Sequence, residues 1–130
     1  MIVLDASAVV DWLLLTPEGQ QIDRRIFSSS ESLHAPHLLD IEVAQVMRRL
    51  RRDRAISAQR AGEAMQDLLD ARIARYPHTL VLPRVWQLRY NLSAYDAAYV
   101  ALAETLNAQL ITRDSRLAST PGHSATIELF

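Results

Sequence analysis

The sequence predicts an α/β fold: a mainly parallel sheet flanked by helices, with one helical hairpin. Three observations carry this expectation. Short apolar runs alternate with segments of helical spacing along the whole chain, the pattern of strand–helix–strand units. The first run, Met1 to Asp5, is apolar until its last residue, as a strand buried on both faces is. The chain of 130 residues is long enough to bury roughly two thirds of its unfolded surface, and no linker, repeat or low-complexity tract divides it, so residues 1–130 are expected to form a single domain.

The elements follow in order. After the first strand, Ala8, Val9, Trp12 and Leu13 recur at helical spacing until Thr16-Pro17-Glu18-Gly19 breaks the pattern, and Gln20 to Phe27 resumes it. Ser28-Ser29-Ser30 is a loop, and Leu33 to Pro36 a brief second strand. Val43, Val46, Met47 and Leu50 mark one face of the next helix. Ser57 caps another, which carries Ala61, Ala64, Met65, Leu68, Leu69 and Ile73 until Tyr76-Pro77 stops it, and these two helices make the hairpin. Thr79 to Pro83 reads as a third strand and Arg84 to Tyr90 as a short helix. Ser93-Ala94-Tyr95-Asp96 has the S-x-x-D form of a capping box and opens a helix through Leu106. Leu110 to Thr112 and Thr126 to Leu129 are the last two strands.

Composition excludes several chemistries. With no cysteine there is no thiol nucleophile, thiolate zinc site or disulfide. All fourteen basic residues are arginine, which removes a P-loop lysine, a Schiff-base lysine and a Ser-Lys pair. Gly19, Gly62 and Gly122 are too dispersed for a phosphate-cradling loop. No apolar run approaches the roughly 18 to 20 residues of a membrane span, and no secretory leader is legible, so the expectation is a cytoplasmic protein without a membrane partner.

Four acids carry the candidate chemistry. Ligands of open parallel sheets bind beyond the carboxyl ends of the strands, where Asp5 and Asp114 both follow apolar runs. Glu42 near the start of one helix and Asp96 in the first turn of another reach the same rim if the crossovers are right-handed. Two like charges about 4 Å apart repel by roughly 4 kcal/mol at an effective dielectric near 20, so such a cluster calls for a cation. Oxygen donors without cysteine or a histidine pair favour Mg²⁺, with Mn²⁺ as a substitute, over zinc, and such an ion assists phosphodiester hydrolysis. Taken singly, Asp96 and Glu42 also suit helix N-termini with no chemistry at all. Ser7 and Thr112, each two residues from an acid, either orient a carboxylate or cap the adjoining turn.

The ordered motifs resemble the PIN-domain toxins of the VapC type. Asp5-Ala6-Ser7 is similar to that family's D-x-S/T/N opening, and Ile41 to Val46 to its E-V-x-x-x-L/V helix. Asp96 to Ala103 resembles its D-x-x-Y/x-x-x-L-A helix, and Leu110 to Leu117 its L-x-T-x-D-x-x-L segment. The resemblance implies a PIN-like three-layer domain and a Mg²⁺-dependent endoribonuclease, the toxin of a type II toxin–antitoxin module. It implies Asp5, Glu42, Asp96 and Asp114 as the acidic quartet, with the metal on Asp5, Asp96 and Asp114. It further implies a homodimer, silencing by a VapB-like antitoxin, and a structured RNA substrate such as tRNA or rRNA. Arg113 departs from the commoner small residue beside the last acid, so it is a candidate contact to RNA or antitoxin, and Asp40 is near enough to Glu42 to share its role.

Charge is distributed unevenly. The net charge is −1, yet six arginines stand between Gln45 and Arg60 against the single acid Asp53. Arg48, Arg51 and Arg52 lie off the apolar face and suit RNA phosphates or an antitoxin, while a solvated helix face with an Arg49–Asp53 pair is the bland alternative. Trp12, Trp86, Tyr95 and Tyr99 sit among apolar residues and are expected to serve as core or dimer contacts, and the four histidines have no expected role. Two other functions compete. A phosphoacceptor domain shares acids at strand ends but lacks its lysine here; a catalytically inactive PIN-fold module binding RNA or protein is separated only by an assay.

Overall fold

A computed structural model describes residues 1–130. Strands β1 (Ile2–Leu4), β2 (Leu33–Pro36), β3 (Ile73–Tyr76), β4 (Gln109–Thr112) and β5 (Thr126–Leu129) form one sheet in the order β3-β2-β1-β4-β5, and every pair is parallel. The helices between them are α1 (Ala6–Leu14), α2 (Pro17–Phe27), α3 (Leu38–Arg52), α4 (Ala58–Asp70), α5 (Leu82–Gln87), α6 (Ala94–Leu106) and α7 (Ser115–Ser119). Right-handed crossovers put α1 to α4 on one face of the sheet and α5 to α7 on the other. No helix is long and apolar enough to cross a membrane.

Local chemistry explains most boundaries. Thr16 accepts the Gly19 N–H at 3.0 Å with Pro17 in the first turn of α2, and Ser57 and Ser93 cap α4 and α6 through Arg60 N–H and Asp96 N–H. The start of α3 is capped differently: the Leu38 N–H donates 3.0 Å to His78 Nε2, which finds a use for one histidine. Helix α6 is buried from Ala97 to Ala103 without interruption, and it packs on β1, β2 and β4. Its small alanines allow that close approach, whereas Ile22, Leu39, Val43, Met47 and Leu68 supply the core from α2, α3 and α4.

The third strand differs from the sequence reading. It is Ile73–Tyr76, not Thr79 to Pro83. Helix α4 stops at Asp70, the chain turns extended at Ala71, and Ile73 enters the sheet opposite Leu33. Arg75 holds this strand to α3 by a two-pronged pair with Asp40, at 2.9 to 3.2 Å, and donates to the Ile73 and Leu68 carbonyls. The run from Thr79 is instead a 3-10 turn, His78–Leu80, followed by α5, where Pro83 is tolerated in a first helical turn. Its apolar content misleads because Leu80 and Leu82 face solvent.

Glu104 of α6 ties the second helical layer together. It accepts Arg84 Nε at 2.7 Å and Arg84 Nη2 at 3.0 Å, and the Ser124 N–H at 2.8 Å. These bonds, led by the Arg84 guanidinium, hold its carboxyl down at about 2. A carboxyl depressed in the folded state contributes stability above its unfolded pKa, and that stability is lost as pH falls through the folded value. Glu104→Gln is therefore expected to cost about 1–2 kcal/mol at neutral pH, after discounting for the partly exposed Arg84, and progressively less as pH falls toward 2. Thermal denaturation of both proteins between pH 2 and 7 checks this.

Candidate active site

The sheet order reverses beside β1. From β1 the chain builds outward through β2 and β3, then returns to place β4 and β5 on the other side, so β1 and β4 flank the switch point where such sheets bind ligands. The register pairs Leu4 with Ile111, and one residue further Asp5 comes beside Thr112.

Asp5 is the one acid among the buried residues. It is 6% exposed and caps α1 by accepting the Ala8 N–H at 3.0 Å. Ser7 Oγ donates to its Oδ1 at 2.7 Å and Thr112 Oγ1 to its Oδ2 at 2.5 Å. The same hydroxyls also accept, Ser7 from the Arg113 N–H of the far segment and Thr112 from the nearby Asp114 N–H, both at 3.0 Å. Two hydroxyls thus lock the ends of β1 and β4 together and aim both carboxylate oxygens. Burial nevertheless pushes the Asp5 carboxyl up, against the pull of those bonds, and the charge of Asp96 adds to the rise.

Glu42 and Asp96 are near enough to Asp5 for their charges to interact, and Asp114 near enough to Asp96. Burial also raises Glu42 and Asp96; the charges of Asp5 and Asp96 push Glu42 further, and Asp114 does the same to Asp96. Tyr99, one turn beyond Asp96 on α6, donates 3.2 Å to Glu42 Oε1, and its burial pushes the phenol so far up that it stays a donor. Asp114 caps α7 through the N–H groups of Arg116 and Leu117. Burial would raise it too, but the Arg116 side chain and those two N–H groups outweigh that and hold its carboxyl below the usual range. Asp5, Glu42 and Asp96 form no salt bridge, and the Arg116 charge only partly offsets the rise at Asp96. The four acids share one rim, although no three side chains of His, Asp or Glu stand close enough together to coordinate one ion.

Known proteins resemble the chain throughout. Residues 2–122 match the PIN domain family. The chain belongs to the PIN-domain family. It is 43% identical over 120 residues to Ribonuclease VapC9 of Mycobacterium tuberculosis, a span covering 92% of this chain and 91% of that protein. The crystal structure of VapBC2 from Rickettsia felis, bound to a DNA fragment from their promoter, superposes with a TM-score of 0.71 at 13% identity, covering 100% of this chain and 99% of that one. A toxin–antitoxin complex from Klebsiella pneumoniae gives 0.61 at 18% identity, with coverages of 92% and 91%.

In this PIN domain several candidate residues have other employment. Asp40 is bound to Arg75 and takes no part in the rim. Arg113, read as a candidate RNA or antitoxin contact, gives its guanidinium to Asp11 at 2.7 Å and to the Phe130 carbonyl, with Glu18 at 3.8 Å. Arg48, Arg51 and Arg52 are exposed, and Asp53 pairs with Arg52 rather than Arg49. Trp12 donates to Asp23 and Tyr99 is buried, but Trp86 and Tyr95 face solvent, which removes the core half of their core-or-dimer expectation. The sequence reading also passed over Tyr99 and Arg116 as neighbours of the acids. The signal was present: Tyr99 falls at i+3 from Asp96, one helical turn on the same face.

Proposed function

We propose that the chain is a divalent-cation-dependent endoribonuclease, the toxin of a toxin–antitoxin pair, with Asp5, Glu42, Asp96 and Asp114 as its catalytic acids. The observation that carries the reading is the set of three carboxylates without salt bridges, raised by burial and mutual repulsion, at the sheet's switch point. The donors at this rim are all carboxylate oxygens, the chemistry a hard cation takes, and we assign Mg²⁺, or Mn²⁺ in its place, to Asp5, Asp96 and Asp114, which would have to draw together around it. Drawing three anionic groups to one point requires such a charge. When bound, the cation would supply electrostatic stabilisation of the phosphate oxygens and a lowered pKa for water.

The chain's own groups do the rest. Ser7 and Thr112 hold both oxygens of Asp5 in one orientation. Glu42, raised by burial and steadied at one oxygen by Tyr99, accepts the proton of the attacking water. Water oxygen bonds to phosphorus as the bond to one ribose oxygen breaks; that oxygen takes a proton from solvent while Glu42 returns its own to solvent, leaving a phosphate on one product and a hydroxyl on the other. Arg48 stands six residues beyond Glu42 on α3, about 9 Å along the axis, and with Arg51 and Arg52 it grips phosphates of a tRNA or rRNA substrate.

The partners are proposed on surface grounds. A groove of about 840 Å³ lined by Trp12, Leu15, Ile26 and Phe27 among others suits a VapB-like antitoxin helix, since Leu15 and Phe27 expose apolar surface there. Exposed Leu80, Leu82 and Tyr95 support a homodimer. The RNA substrate assigns the action to the cytoplasm.

Purified protein is expected to cleave RNA with Mg²⁺ or Mn²⁺, to stop on EDTA addition, and to be silent as Asp5→Asn with unchanged circular dichroism. Equal cleavage by wild type and Asp5→Asn would mark a contaminating nuclease and overturn the reading. Sequencing RNA 5′ ends after controlled expression identifies the target.

A further inference from the structure

Beside Asp96 the surface opens into a cleft of about 320 Å³, walled by Asn91 and Ser93 before α6 and by Arg116 and Thr120 at α7. That is the lower end of the range of small-ligand clefts. Arg116 is 86% exposed and spends only one side-chain contact, at 3.3 Å to Asp114, so most of its five donors are free. Asn91 makes no side-chain hydrogen bond within the protein and lies against Gly122, where an added Cβ would stand 2.2 Å from its Nδ2. A free amide at the cleft wall can both donate to and accept from a base edge.

One residue before Asn91 begins a feature that the core does not require. The Arg89 guanidinium carbon lies 4.6 Å from the centre of the Trp86 ring and 4.4 Å from that of Tyr90. It is held by bonds to the Trp86 carbonyl at 2.8 Å and to the Tyr90 hydroxyl at 3.0 Å. Trp86 is 67% exposed and Tyr90 82%, and neither packs on the hydrophobic core. Exposed aromatic surface of this size is costly in water, and the cation between the rings fixes their planes where no core does. Tyr90 is six residues from Asp96, so the stack lies within about 20 Å of the acids along the chain.

We propose that cleft and stack together position single-stranded RNA. This rests on the ribonuclease reading and names how its substrate is held. Arg116 takes a phosphate flanking the one cleaved, Asn91 bonds the nucleotide in the cleft, and a base further along stacks on the outer face of Tyr90 or Trp86. Only an unpaired base offers a free face to an aromatic ring, so the surface selects loops and single strands over duplex. Tyr90 and Trp86 are positioning residues; the acids perform the reaction.

The test uses an unstructured RNA dodecamer. Tyr90→Ala is expected to raise KM by about five- to a hundredfold with kcat unchanged, and Tyr90→Phe to restore it, because the ring rather than the hydroxyl is needed. In EDTA, the dodecamer is expected to quench the tryptophan emission of a Trp12→Phe protein, where Trp86 is the remaining reporter, but not that of Trp86→Phe. Unchanged KM in both Tyr90→Ala and Trp86→Ala, with an active wild type, overturns the proposal alone. So does light scattering that finds these substitutions splitting a dimer while RNA affinity is kept, since the stack then binds a second copy. A wild type that neither binds nor cleaves RNA overturns this proposal and the ribonuclease reading together.

Discussion

Replacing Asp96 by Asn is expected to lower RNA cleavage by at least about a thousandfold while raising the melting temperature of the cation-free protein at neutral pH. A cation's stabilisation of developing charge is worth several kcal/mol, and each 1.36 kcal/mol is tenfold in rate. The stability gain comes from the same carboxylate. Asp96 occupies the first turn of α6, where the helix dipole favours its charge by about 0.3–1 kcal/mol and lowers its pKa. The carboxyl is nonetheless raised, so burial and the nearby charge of Asp114 outweigh that benefit. A raised acid gives stability that is complete below its unfolded pKa, near 3.9, and is lost as pH rises through the folded value. Asparagine never ionises and keeps that stability. The two proteins should therefore melt together near pH 3 and diverge toward pH 7, with Mn²⁺ stabilising the wild type more than the variant. Differential scanning calorimetry across this range decides it; a variant less stable at pH 7, or one cleaving at the wild-type rate, refutes the account.

Gly19→Ala is expected to cost about 3 kcal/mol or more, the largest loss among the chain's three Gly→Ala substitutions. An added Cβ would stand 1.8 Å from the Asp11 carbonyl oxygen and 2.4 Å from its carbon, both backbone atoms that no rotamer change removes. Helix α2 would have to lift from the end of α1. That movement strains the Trp12 to Asp23 bond between the two helices and the Asp11 to Arg113 pair, and Arg113 in turn donates its N–H to Ser7 beside Asp5. Loss of cleavage is expected to accompany loss of stability. Gly62→Ala is the matched control: nothing lies within 4 Å of its added Cβ, in the interior of α4, so it should stabilise by about 0.5–1 kcal/mol. Urea denaturation of the three proteins measures both, and equal midpoints for Gly19→Ala and wild type would sink the close-approach argument.

The legible parts of this fold were those where one physical preference spoke alone. Met1 to Asp5 could only be a buried strand ending in a charge, and Ser57 and Ser93 announced helices through their hydroxyls. The third strand was illegible because its evidence is not local. Ile73 to Tyr76 has one fully buried apolar residue, and what holds it in the sheet is Arg75 reaching Asp40 across 35 residues. Thr79 to Pro83 has the better strand composition and loses, because proline and solvent-facing leucines are accommodated in a helix start. Likewise Trp86 and Tyr99 are both aromatic residues in apolar surroundings, yet one is exposed over an arginine and the other buried against Glu42.

By itself the amino-acid order determined which side chains this protein has to work with: oxygen acids after apolar runs, arginine as the sole strong base, no thiol and no lysine. Those are matters of composition and short-range pattern. Only the tertiary structure decided that Thr112 and Ser7 would aim Asp5, that Tyr99 would serve Glu42, and that Asp40 and Arg113 would be spent on structural pairs. Burial and charge pairing depend on which strands become neighbours, and a parallel sheet makes neighbours of residues a hundred positions apart.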